Sequence, residues 1–446
     1  EPNAVTKWTS SKPTVASIDE TIGTETRKFV LGQVIPAWCT YTGTSQQFMS
    51  ASGGNLGVYA AEYAAKWYRT EYAKERHGSL GADAHPFSWF DSDGDGFLDL
   101  VWIVYSHATG STNDWWAYVT YTGNGANKTN PTVKTLGFAS IDWMQKGVNG
   151  YDPHTYIHET GHTFGLPDYY DYNHTWSPIG GVDFMDHNIG DHSMYSKFTL
   201  GWTSPLVVDE DAVITLRPGT TTGDCFILPS PNYNGTAFDE YMMVELMAPV
   251  GLAEKDYLGT YEGTEGFSKP GLRITHCDSR VYNRANGNTR DTYLVNNPQD
   301  GIDYRIDNSY GGRGGLKVDG DYFPVKNDKG EDVKNYMTLF SLMESVINED
   351  NNWTKSSTYN ATNSSLFQAG QSFTLSSKRS WAKTFMPSKT NLWNKAKTIT
   401  GWTNNTTQTY AIDETCTFNY IVRCLSIEKD AEYGYVAKVQ VTANAY

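Results

Sequence analysis

The stretch His158-Glu159-Thr160-Gly161-His162 sets two imidazoles four residues apart with a carboxylate beside the first. On a helix, positions i and i+4 share a face, so both rings can reach one cation. Imidazole nitrogen suits zinc among other metals, and a Glu in this position suits a general base. The chemistry is hydrolysis by activated water, provided that one coordination position stays open. The chain continues Thr163-Phe164-Gly165-Leu166-Pro167-Asp168. Gly165 can adopt the left-handed conformation that ends a helix sharply, and Pro167 forbids its resumption. The chain then turns back, which makes Asp168 the candidate third ligand. The bland alternative is an amphipathic helix with two surface histidines.

The third ligand is the open point. In related site designs it is a Glu on a later helix. Here no Glu lies between Thr163 and Asp209, and the first, Glu210, falls in a strand-and-turn texture. Asp171, His174, Asp183, Asp186, His187, Asp191 and His192 remain weaker candidates than Asp168.

A second acidic constellation lies upstream, Asp91-Ser92-Asp93-Gly94-Asp95-Gly96-Phe97-Leu98-Asp99. Oxygens at alternate positions on a glycine-turned loop wrap a hard cation such as calcium. The side chains of Asp91, Asp93, Asp95 and Asp99, with the Phe97 carbonyl, form the expected ligand set. Trp102 stands where the EF-hand pattern wants Glu, so EF-hand helices are not expected. The alternative is a solvated acidic loop, although aspartates this close repel one another without a cation.

Several elements must hold these groups. Leu56 to His77 reads as a helix stopped by Gly78, with Tyr59, Tyr63 and Trp67 recurring every four residues as core aromatics. Phe29 to Ile35 reads as a strand and Leu98 to Tyr105 as a buried strand. His154 to Leu166 and Asp191 to Leu200 read as helices, and Asn335 to Asn348 as a short one. Past Trp202, strand-like runs separated by Gly, Pro and Asn appear at Ala212 to Leu216, Cys225 to Pro229, Tyr241 to Met247 and Leu272 to Cys277. Residues 278–330 read as long loops; Leu366 to Phe373 and Thr415 to Val441 read as strand and turn. The expectation is an α+β chain with a polar arm or propeptide remnant at 1–26, a catalytic domain at 27–205 and a β-sandwich-like region at 206–446.

Composition narrows the partners. A net charge of −15 argues against nucleic acid. No run of 18 apolar residues occurs, so no membrane span is expected. The five cysteines at 39, 225, 277, 416 and 424 cannot all pair; Cys416 and Cys424 could bridge a hairpin. The 30 Tyr and 14 Trp fit β-rich cores, or a second account in which exposed rings stack on sugars. Several sequons occur, among them Asn173, Asn352 and Asn360. The opening Glu1-Pro2, without Met, reads as a trimmed form.

HExxHxxGxxD followed by a methionine turn is similar to the metzincin clan of zinc metallopeptidases. Gly180-Gly181-Val182-Asp183-Phe184-Met185-Asp186 resembles that turn, with Met185 as the residue beneath the metal. The clan's usual third ligand is His; a minority use Asp. GLPDYYD at 165–171, GGVDFMD at 180–186 and SKFTLGW at 196–202 resemble the immune inhibitor A-like family of secreted bacterial metallopeptidases. Residues 91–107, 240–247 and 271–280 fit it too, so the resemblance runs from Asp91 to Arg280. It implies a twisted mixed sheet with backing and active-site helices, zinc on His158, His162 and Asp168, and Glu159 as general base. It implies a secreted monomeric endopeptidase acting on extracellular proteins, peptides or glycoproteins, with calcium as a structural ion. Where some metzincins have a Tyr two residues after the Met, this chain has His187. His187, otherwise a surface turn residue, and Tyr195 are the candidates for oxyanion support. The competing expectation is a glycan- or mucin-binding protein built on the same scaffold.

Overall fold

The computed structural model describes residues 16–22, 25–32, 38–77, 86–109, 115–145, 152–170, 179–188, 190–230, 233–258, 267–279, 281–283, 292–294, 304–305, 315–318, 321–324, 340–343, 361–374, 398–400, 407–409 and 420–443. Helix and sheet are both well represented. The chain forms two compact units, Glu1–Thr163 and Phe164–Tyr446, so the division falls before the boundary expected at 205. No described helix is long and apolar enough to cross a membrane.

In the first unit, β1 (Ala16–Ile22) and β2 (Glu25–Gly32) form an antiparallel hairpin where a polar arm was expected. Helix α1 (Ser45–Ala51) starts on a capping box at Thr44. Helix α2 (Leu56–Trp67) continues through a π-helical turn, Tyr68–Tyr72, into α3 (Ala73–His77). The expected long helix therefore forms, and its aromatic stripe is core only in part: Trp67 packs against the buried Tyr68, Tyr72 and Ala73. Tyr59, Tyr63 and Trp67 are half-buried; Tyr59 meets Phe48, and Tyr63 meets Tyr41. The buried face is Leu56, Gly57 and Ala61. Small residues let the helix lie close to the sheet, where the Gly57 N–H donates to the Tyr118 hydroxyl at 2.8 Å.

That sheet comprises β4 (Val101–Tyr105), β5 (Tyr118–Tyr121) and β7 (Thr135–Ser140), in the order β4-β7-β5, with β7 parallel to β4 and antiparallel to β5. Strands β3 (Phe97–Leu98) and β6 (Thr132–Val133) pair separately. Side chains alternate across β7: Leu136 and Phe138 meet the α2 side, whereas Ala139 meets α4 (Asp142–Gln145) and α5 (His154–Thr163) through Trp143 and Tyr156. Strand β4 was expected to be buried. Among the described strands it pairs with β7 alone, and Val104 is 43% exposed.

The second unit begins with turns and α6 (Met194–Thr199). Its strands are β8 (Leu206–Val207), β9 (Ala212–Leu216), β10 (Phe226–Pro229), β11 (Glu240–Met247) and β12 (Gly271–Asp278), with short helices α7 (Gly219–Thr222) and α8 (Glu254–Leu258) between them. Short strands β13 (Val281–Asn283), β14 (Thr292–Leu294), β15 (Tyr304–Arg305), β16 (Gly315–Val318) and β17 (Asp321–Pro324) punctuate the segment expected to be loop. Strand β18 (Phe340–Met343) replaces the short helix expected there. Then follow β19 (Ser372–Thr374), β20 (Thr398–Thr400), β21 (Thr407–Thr409), β22 (Tyr420–Asp430) and β23 (Gly434–Ala443).

Two sheets, β18-β12-β11-β10-β8 and β19-β22-β23-β9, share one core. Phe226, Leu228, Met242, Val244, Leu272 and Ile274 enter it from the first sheet, and Phe373, Val422, Cys424, Val439 and Val441 from the second. The other face of the first sheet is covered as well. Met247 and Leu342 pack there with Val182, Ala361 and Leu366. All eight residues of β11 are therefore buried, which explains its nearly continuous apolar sequence. Cys424 lies in the core; Cys416, like the sequon asparagines 173, 352 and 360, is outside the described residues.

Candidate metal centre

Helix α5 is fixed at its start by Asp152, whose carboxylate accepts the His154 N–H at 3.0 Å and meets the His154 ring at 2.7 Å. Its buried face includes Tyr156 and Glu159. Tyr156 anchors the helix to the sheet: its hydroxyl donates to the Ser140 carbonyl at 2.8 Å and its ring meets Trp102. Burial pushes the Tyr156 phenol up to about 12, so it stays neutral and donates. The helical period then brings His158 and His162 together, ring centres 4.9 Å apart and edge to face. Both are half-buried; Glu159 is buried.

The helix ends at Thr163, three residues before the expected Leu166. Gly165 has φ +91°, a conformation strained for other residues. Leu166 and Asp168 are buried as the chain returns. Along this one continuous stretch, ligand-capable atoms of His158, His162 and Asp168 all lie within 4.8 Å of one another. Two ring nitrogens and a carboxylate oxygen at that separation suit a tetrahedral zinc ion with one open position. Asp171 and His174 lie outside the described residues. Asp183, Asp186, His187, Asp191 and His192 are described and do not join this group.

Asp183, Asp186 and Asp191 are instead engaged in and just after the turn from Gly180 to Asp186. Gly180, at φ +66°, lies so close to Ala361 that an added Cβ would stand 2.8 Å from the Ala361 Cβ. Asp183 is fully buried and organises the turn. Its carboxylate accepts from the Met185 N–H at 2.8 Å, the Ser193 N–H at 2.6 Å and the Ser196 hydroxyl at 2.9 Å, and lies 3.5 Å from the His192 ring. Burial alone would raise the Asp183 carboxyl; His192, Met185 and Ser193 outweigh it and hold it at about 2. Asp186 accepts from the Gly181 N–H at 3.1 Å and meets the His187 ring at 2.5 Å. Asp191 holds Lys197 and accepts from the Thr220 hydroxyl. Met185 is wholly buried, and its carbonyl accepts the Tyr169 N–H at 2.7 Å, next to Asp168.

The two candidates for oxyanion support differ. His187 is not a surface residue: its side chain is 11% exposed and its ring meets Tyr170. Tyr195 is 2% exposed and packs on Tyr169, within the turn's own core.

In the upstream loop, Asp91, Asp93 and Asp99 bring carboxylate oxygens within 4.8 Å of one another. Asp95 is not in that group. Its carboxylate accepts the Phe97 N–H at 2.9 Å and lies 3.8 Å from Lys134, whose ammonium also sits over the Phe97 ring. Backbone N–H groups of Ser92, Asp95 and Gly96 donate to Asp99, Asp91 and Asp93, which eases the repulsion expected of bare aspartates. His107 stacks on the buried Trp115, and Trp116 stands half-exposed against Trp143.

Burial pushes the thiols of Cys39, Cys225 and Cys424 up to about 11, 12 and 11, so none is an activated nucleophile.

One feature escaped sequence reasoning. Arg273 and Glu245, 2% and 3% exposed, form an ion pair directly across β12 and β11. A charge in each of two buried strand runs was a usable signal. No protein-family model matches this sequence, and no curated protein proves similar to it.

Proposed function

We propose that this protein is a secreted zinc-dependent endopeptidase of the metzincin clan, similar to the immune inhibitor A-like family, acting on extracellular proteins or peptides. The observation that carries the reading is the convergence of His158, His162 and Asp168 within 4.8 Å, with Glu159 buried on the same helix. Zinc held there would supply Lewis acidity to polarise the scissile carbonyl and acidify a water.

The remaining chemistry belongs to the chain. The two imidazoles and the Asp168 carboxylate bind. A Glu159 carboxylate oxygen takes the proton of the attacking water and passes it to the leaving amide nitrogen. Of the two candidates for oxyanion support, His187, tied to Asp186 and less buried, is the one favoured here; the burial of Tyr195 favours a packing role. Met185 forms an apolar floor. Strand β4 pairs with β7 alone among the described strands, and its other edge is where an extended peptide would pair as an added strand. Calcium on Asp91, Asp93 and Asp99 would pin the upstream loop against local opening.

The test is Glu159→Ala assayed on a denatured protein with zinc and calcium supplied. Wild type is expected to cleave and the variant to lose at least 100-fold in kcat, a general base contributing about 10²–10⁴. Retained cleavage in the variant would refute the mechanism. Glycan binding by a wild type that cleaves nothing would favour a glycan-binding protein instead.

A further inference from the structure

The Arg273–Glu245 pair spans the outer face of the first sheet, away from the sandwich core. Its guanidinium uses all its reach: Nε and Nη2 donate to Glu245 Oε1 at 2.9 and 2.8 Å, and Nη1 donates to the Val182 carbonyl. The same Glu245 oxygen accepts the Met194 N–H at 3.3 Å, at the first residue of α6. One ion pair thus grips both ends of the segment 182–194. Within that segment Asp183 ties Met185 to Ser193 and Ser196, and the Met185 carbonyl takes the Tyr169 N–H.

Stability is a poor reason for such a pair. Apolar residues of equal volume often serve a buried sheet face as well or better, because both ions must be desolvated. What they cannot do is bind a carbonyl and an amide at fixed positions. The planar guanidinium fork supplies that geometry, and a lysine does not.

We infer that Arg273 and Glu245 are positioning residues: the pair locks the turn carrying Met185 and, through the Tyr169–Met185 hydrogen bond, sets the chain that presents Asp168. The consequence at the metal rests on the zinc reading above; the locking of the turn does not. Phe164–Tyr446 is then not a catalytic segment with an appended sandwich, because the sheet itself holds the segment that carries the third ligand.

The full chain tests this with Arg273→Gln and, as control, Val439→Ala, which opens the core between the sheets. Zinc affinity is read by chelator competition, thermal midpoint by melting, and amide exchange residue by residue. Arg273→Gln is expected to bind zinc at least tenfold more weakly and to speed exchange of the Tyr169 and Met185 amides at least tenfold. Val439→Ala, compared at the same margin below its own midpoint, is expected to change neither. Equal changes in both variants, or no change in Arg273→Gln, would overturn the positioning role. Should Arg273→Gln fail to fold, Arg273→Lys, which keeps the charge and loses the fork, is measured instead with the same criteria. A wild type that takes up no zinc removes the zinc reading, and the exchange rates alone then decide the positioning role.

Discussion

Two turns in this protein use the same vocabulary of Asp and Gly and reach opposite physical states. The loop from Asp91 to Asp99 is mostly exposed, and its carboxylates accept from N–H groups of the loop itself. The turn from Gly180 to Asp186 is buried, and Asp183 draws donors from residues up to 13 positions away. The first geometry is self-contained and leaves oxygens facing solvent, where a cation can add to it. The second is complete without any ion, and its charge is balanced by a tertiary network. Aspartate near glycine is therefore no signature of a metal loop; what matters is whether the donors around it come from the loop or from the fold.

The largest effect that separates the two turns is mutational. Asp183→Ala is expected to cost about 3–5 kcal/mol in urea unfolding, the scale for breaking a buried charged network. Equal losses for Asp183→Ala and Asp93→Ala would erase the distinction.

Calcium is expected to give the next largest effect, and only at the exposed loop. At about 100 times its dissociation constant, a ligand specific to the folded state adds about 2.7 kcal/mol. Wild type is expected to melt higher in calcium, Asp91→Asn is not, and Asp183→Asn is expected to keep the calcium increment.

Acid then sharpens the contrast from the other side. The Asp183 carboxyl lies at about 2 in the fold against 3.8 as its ordinary value. A folded value below the unfolded one stabilises the protein fully above about pH 4. That contribution, about 2 kcal/mol, drains away as pH falls toward 2. Melting curves between pH 5 and 2 should show this slope in wild type and a shallower one in Asp183→Asn. The smallest effect is Asp93→Ala without calcium, expected within about 0.5 kcal/mol of wild type, as for exposed positions generally.

Much of the candidate site was legible in the sequence because it is local. Helical period, a left-handed glycine and a following proline are enough to bring His158, His162 and Asp168 together over eleven residues. Strand β9 has the expected bounds, and β11 and β12 extend the expected ones by a residue at one or both ends. What failed was nonlocal. Phe340–Met343 follows a helix-like pattern but pairs with β12. The stripe Tyr59, Tyr63 and Trp67 is regular, yet Gly57 and Ala61 face the sheet, because close approach favoured small residues over large ones.

By itself the sequence determined the metal-capable segment, the acidic loop and most of the long strands, since spacing along one element needs no partner. Only the tertiary structure decided that Arg273 and Glu245 meet across two strands and grip the turn at Val182. It alone placed the compact boundary at Thr163, before the Asp168 segment. Hydrogen bonds between residues 28 and 91 positions apart leave no period in the chain, and which buried charge finds which partner is fixed only when the sheets close.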